Sequence, residues 1–326
     1  MKLSRRAILS AALACAASPI ATGAAQPTVR IGALRFGTAS WELDTMRRNG
    51  FDRAQNIEVE AVELATAQAT QVALQAGRVD MILLDWLWVA RQRAEGADWT
   101  FVPFSGSVGG VVAPPNSRVQ TPRDLAGARL GIAGSPIDKS WLILQAYAKQ
   151  ALGLELAKSA VTSFGAPPLL AEQLSAGQLD AVLTFWPYAA KAEAAGMRRI
   201  LGVEDAVRAL GIDVMIPFVG YVFSTAWADA NRALCNGFFA ATHLAEDRLA
   251  QSDDEWQALR PMTGAANDAE LDQLKEAYRR GIIHHWGEAE RAAIGRLYTI
   301  MAAIGGPALV GTAKTIPPGT FWQDAS

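Results

Sequence analysis

The chain has 326 residues, 51% of them hydrophobic and 19% charged, and 30 basic against 32 acidic side chains leave a net charge of −2. That length fits about two domains with a large core, and the hydrophobicity excludes disorder. The balanced charge carries no footprint for nucleic acid, and only two cysteines, Cys15 and Cys235, exclude a disulfide scaffold.

The first 25 residues read as an export signal, with Lys2, Arg5 and Arg6 ahead of an apolar run over 7–17. Gly23, Ala24 and Ala25 set up cleavage before Gln26. The run is too short to span a bilayer. Residues 4–9 also fit a twin-arginine signal, and a rival reading makes 12–15 a lipobox with Cys15 lipidated. Loss of Lys2, Arg5 and Arg6 with the signal leaves 27 basic against 32 acidic residues, and Cys235 as the sole thiol. A lone thiol in an oxidising compartment is expected to be buried.

Residues 29–34 form an apolar strand, and 57–62 alternate with period two. A helix over 70–75 stops at Gly77, and 81–84 read as a strand covered on both faces. A glycine-rich connection over 104–112 precedes a strand over 129–133. Ser135, Pro136 and Asp138 then make a capping box for a helix over 136–152 ending at Gly153. A second connection covers 216–223. Helices follow over 226–249, 268–280 and 288–304, and are expected to pack back on the first lobe.

The chain also repeats itself at an offset of 100 residues. Residues 76–86 align with 176–186, sharing Ala, Gly, Asp, Leu and Trp, and Ser40-Trp41 aligns with Ser140-Trp141. Arg30-Ile31-Gly32 aligns with Arg129-Leu130-Gly131 at an offset of 99. Alternating strands and helices, twice over, predict two parallel α/β lobes. Lobe 1 takes residues 26–110 and 220–326, lobe 2 takes 111–219, and the recurring Asp80 and Asp180 fix the helix-to-strand turns.

Residues 121–132, TPRDLAGARLGI, resemble the DLxGKxxGV stretch of periplasmic solute-binding proteins of ABC importers. Together with the repeated Ala-Gly blocks, they resemble the nitrate/taurine/aliphatic-sulfonate branch, which includes binders of a thiamine-pyrimidine precursor. The resemblance implies a two-lobed class II binding-protein fold that traps a small organic solute by hinge closure and delivers it to a permease and ATPase. It implies a periplasmic monomer that needs no cofactor.

Ligands of open α/β sheets sit beyond the carboxyl ends of the strands. Trp41, Trp86, Trp141 and Trp186 occupy such positions in both halves, so four indoles are expected in one cleft. Phe185, Tyr188 and Trp88 join them by adjacency. Asp85 and Asp138 beside the indoles suit a planar or cationic ligand. The opposite reading uses the helix start over Ser135–Ser140 to hold an anion, helped by Arg35 and Lys139. Thr38, Ser40, Ser135 and Ser140, with Ser105 and Ser107, are candidate hydroxyl donors. No nucleophile elbow, Walker loop or complete dinucleotide fingerprint occurs, and three histidines make no zinc pattern, so no enzyme is expected. The alternatives are an accessory or sensor protein using the same closure and an enzyme of thiamine-pyrimidine type.

Overall fold

The structure, a computed structural model, describes residues 26–34 and 37–322. The export signal, the Cys15 lipobox and Arg35 lie outside the described residues. Lobe 1 opens with β1 (Thr28–Leu34), α1 (Ala39–Asn49), α2 (Phe51–Ala54), β2 (Glu58–Leu64), α3 (Ala67–Gln75), β3 (Met81–Leu84), α4 (Trp86–Ala94) and β4 (Trp99–Ser105). Lobe 2 follows with β5 (Gly109–Ala113), β6 (Arg129–Ala133), α5 (Lys139–Tyr147), α6 (Leu156–Ser159), β7 (Val161–Gly165), α7 (Pro167–Ser175), β8 (Ala181–Phe185), α8 (Trp186–Ala194), β9 (Arg198–Gly202) and α9 (Val203–Ala209). The chain then returns through β10 (Val219–Ser224) to α10 (Thr225–Ala230), α11 (Arg232–Gln251), α12 (Asp253–Thr263), α13 (Asp268–Arg280) and α14 (Glu288–Val310).

Each lobe holds one five-stranded sheet, ordered β2-β1-β3-β10-β4 and β7-β6-β8-β5-β9. The orders superpose strand for strand, so the internal repeat is a repeat of architecture. In each sheet four strands run the same way, and the strand arriving from the other lobe is inserted antiparallel between two of them. The same clamp recurs in both lobes. Asp80 accepts the Arg30 backbone N–H at 2.8 Å and its guanidinium at 2.6 Å, and Asp180 does the same for Arg129 at 2.8 and 2.7 Å. These aspartates tie the turn before the third strand to the start of the first, as the repeat predicts.

Glycine is required where the lobes exchange strands. A Cβ on Gly109 would lie 1.7 Å from the Thr184 carbonyl oxygen, and one on Gly220 would lie 2.2 Å from that of Val102. The two residues occupy neighbouring registers of the equivalent strands β5 and β10.

Met81 faces the core under α1 and α11, while Ile82 faces the core under α3 and α4, so β3 is covered on both sides. Cys235 is buried in the α11 layer, and burial pushes its thiol up to about 12. Three local expectations change. Ser135 is exposed and caps nothing. Instead Asp138 is the N-cap of α5, accepting the Ser140 N–H at 2.9 Å, and the helix starts three residues later than expected. The expected helix over 226–249 breaks at Asn231. The C-terminal helices bridge the lobes, because α14 packs on both α4 and α5, and α13 packs on α8. One apolar cluster accordingly runs from Trp86 and Val222 of lobe 1, through Leu297 and Met301 of α14, to Leu130 and Ile143 of lobe 2.

Candidate functional site

The carboxyl ends of β1, β3, β6, β7 and β8 face one another where the lobes meet, and helix starts follow most of them. Ring and charge contacts cross that cleft. The Trp41 ring of α1 meets the Trp186 ring of α8 edge-to-face, with centroids 5.7 Å apart. Nearby, Lys139 of lobe 2 lies 3.8 Å from the Asp85 carboxylate of lobe 1. Asp85 also caps α4, accepting the Trp88 N–H at 3.0 Å. Asp138 is half-buried beside this pair; burial raises its carboxyl, and the Lys139 charge and the Ser140 N–H pull it back down.

The four indoles do not share the cleft. Trp86 is 1% exposed, its N–H donates to the Pro217 carbonyl at 2.9 Å, and its ring lies against Tyr298. It is a core residue at the base of the second crossing segment. Trp141 is buried on α5 with its ring near Phe164, and Trp88 is buried against Trp99. Only Trp41 and Trp186 meet between the lobes, and Trp256 closes the far side of Trp41 at 5.8 Å. The sequence treats Trp86 and Trp186 alike, but their partners come from segments that do not repeat.

The Ser40, Ser105 and Ser107 hydroxyls have local partners. Ser40 Oγ donates to the Gly37 carbonyl at 2.6 Å, and Ser140 is buried. Ser107 Oγ donates to the Ala277 carbonyl, and Ser105 Oγ accepts the Ser107 N–H. Thr38 stands at the start of α1 without capping it by its side chain. α8 likewise lacks a side-chain cap and keeps the Trp186 and Tyr188 N–H groups at its first turn, whereas α7 opens on Pro167 and Pro168, which carry no N–H. Around them lobe 2 exposes apolar surface at Ile137, Phe164 and Phe185, and Tyr188 is half-buried behind Phe185.

Sequence reasoning missed Lys191. Its ammonium reaches from α8 to the carbonyls of Thr263 and Gly264 at the end of α12, each at 2.9 Å, joining lobe 2 to lobe 1. The cation also complements that helix's negative end. Nothing local in the sequence marks it. Among the described residues no group of three or more His, Cys, Asp or Glu side chains could hold a metal ion.

The fold recurs in solved structures. The chain is similar to the periplasmic aliphatic sulphonate binding protein SsuA of Escherichia coli, at 19% identity and a TM-score of 0.71, covering 91% of this chain and 92% of that one. It is also similar to the alkanesulfonate-binding protein SsuA of Xanthomonas axonopodis pv. citri bound to MOPS, at 18% identity and 0.69, covering 92% and 99%. The desulfurization enzyme DSZB has the same fold at 14% identity and 0.61, covering 85% and 92%. No curated protein matches the chain significantly in sequence. Residues 45–255, well over half of the chain, match the family described as NMT1/THI5 like, and the chain belongs to that family.

Proposed function

We propose that this chain is the solute-binding component of an ABC import system, working in the periplasm as a monomer. It captures a small organic solute between its lobes and passes it unchanged to a membrane permease. One observation carries the reading: two lobes of the same topology turn their strand ends toward a shared cleft and touch there through Trp41 and Trp186. Family membership, the sulfonate-binding proteins of like fold and the export signal read from the sequence support it.

The solute carries an anionic head, sulfonate or carboxylate, and an organic body. The uncapped starts of α1 and α8 supply donors for the head, and Ile137, Phe164 and Phe185 an apolar wall for the body. Thermal-shift screening against sulfonates, carboxylates, amines and pyrimidines tests this, because a native-state ligand at about 100 times its Kd adds ~2.7 kcal/mol of stability. The expected result is stabilisation by an organic anion recovered intact by mass spectrometry. A chemically altered ligand would overturn the binding reading in favour of an enzyme.

A further inference from the structure

Lobe 1 carries a second pocket away from the cleft. It has a volume of about 550 Å3 and lies between α11, the β4–β10 edge of the sheet and the segment over 283–286. That volume is within the usual range for a small-molecule site. Two carboxyl groups and a set of aromatic rings meet in the pocket. Glu42 is 1% exposed, and its carboxyl receives the hydroxyls of Tyr221 at 3.1 Å and Tyr278 at 3.2 Å. Glu246 of α11 is half-buried across the pocket. Among the described residues neither carboxyl is paired with a lysine or arginine. Arg291 is drawn to the same wall but stacks on the Trp286 ring at 5.5 Å.

Burying carboxyl groups without a cation is costly, and apolar residues of similar volume would serve packing better. Burial beside the open pocket favours the neutral carboxyl at both positions, and a bound cation would restore the charge. The walls around Glu42 are aromatic rings, and ring faces with carboxylates attract organic cations.

We propose that this pocket is a second ligand site that takes a small alkyl- or arylammonium ion, held by Glu42 and Glu246 against Tyr221, Phe239 and Trp322. The ammonium draws both carboxyls to their ionised form and pairs with them, and the organic body covers the rings. The Tyr221 and Tyr278 hydroxyls hold the Glu42 carboxylate in place. Both ring clusters and both carboxyls belong to lobe 1, so the site is complete without lobe 2 and does not depend on what the cleft binds.

Titration calorimetry and tryptophan fluorescence with benzylammonium chloride at about pH 8 test the site. Benzyl alcohol is the neutral control of the same shape. Saturable benzylammonium binding is expected, at least ~10-fold tighter than the alcohol. Glu246→Gln is expected to weaken it ~10-fold, Trp322→Phe to remove most of the fluorescence change, and Trp186→Ala in the cleft to leave it unaltered. Glu42→Gln tests the second carboxyl where it folds, and Glu246→Gln stands alone where it does not. Equal binding of amine and alcohol, amine binding indifferent to Glu246→Gln, loss of binding in Trp186→Ala, or no saturation by about 10 mM would each overturn the proposal.

Discussion

Trp86 and Trp186 hold equivalent places in the repeat and should respond differently to removal. Trp86→Ala opens a cavity in the core shared by both lobes and strands the Pro217 carbonyl. It should cost ~3–5 kcal/mol in urea melts while the folded fraction keeps its ligand affinity. Trp186→Ala takes away one face of the cleft and should weaken solute binding about 2- to 30-fold by calorimetry, with a smaller loss of stability. The buried carboxyls make a separate prediction. Burial, with help from Asp247, pushes Glu246 up to about 7 from an ordinary 4.5. Its folded value lies above its unfolded one, so its contribution to stability is full below about pH 4.5. It is then lost as pH rises to about 7, at most ~3 kcal/mol in all. Glu42 is raised by burial too and adds in the same direction. Urea melts across that window should show the decline, and Glu246→Gln should flatten it. Glu42 was readable in the sequence: with Ala39, Leu43 and Met46 it completes an i, i+3, i+4, i+7 face whose other members are apolar.

At the scale of elements, the strand exchange rests on two glycines. Gly109→Ala and Gly220→Ala each drive a methyl into a backbone carbonyl of the neighbouring strand, and each should prevent the native fold or cost several kcal/mol. Gly77→Ala is the contrasting case. Gly77 has φ 64° with open space around its Cβ position, so the substitution should cost only about 1 kcal/mol, by calorimetric Tm. The strands, the repeat and the turn-fixing Asp80 and Asp180 were legible because they depend on short-range pattern: apolar runs, a glycine after a helix, an aspartate three residues beyond that glycine. The destination of the tail was not. α13 and α14 each announce an apolar face, but an apolar face fits any other, and which lobe receives it is decided by geometry that periodicity does not encode. The start of α5 was misread for a related reason. Ser135 and Asp138 are both good caps, and Pro136 and Ile137 turn before the helix begins, so the later cap holds it.

Among the described residues the two lobes are joined by the crossings at 106–108 and 210–218, by α14 against α5 and by the α8 contact with α12 and α13, besides the Trp41–Trp186 and Lys139–Asp85 contacts across the cleft. The first three lie together on the side of the shared apolar cluster and act as a pivot. The Lys191 contact bridges α8 and the end of α12 and has to break for the lobes to swing open. Lys191→Ala should therefore enlarge the radius of gyration of the ligand-free protein in X-ray scattering and weaken solute binding. An unchanged radius together with unchanged affinity would assign the opening to another contact.

The end of the described chain has a consequence for how the molecule is made. Phe101 of β4 donates its N–H to the Thr320 carbonyl at 2.9 Å, and the Trp322 N–H returns to the Phe101 carbonyl at 3.0 Å, with the Trp322 ring buried against Phe223. Lobe 2 is one unbroken stretch, whereas lobe 1 needs β10 and then residues 320–322 to finish its sheet edge. On the ribosome, the half translated first is thus the half completed last. Lobe 1 waits with an open edge and uncovered rings while its neighbour folds. A chaperone acting on this protein during synthesis would find its binding surface in that waiting half.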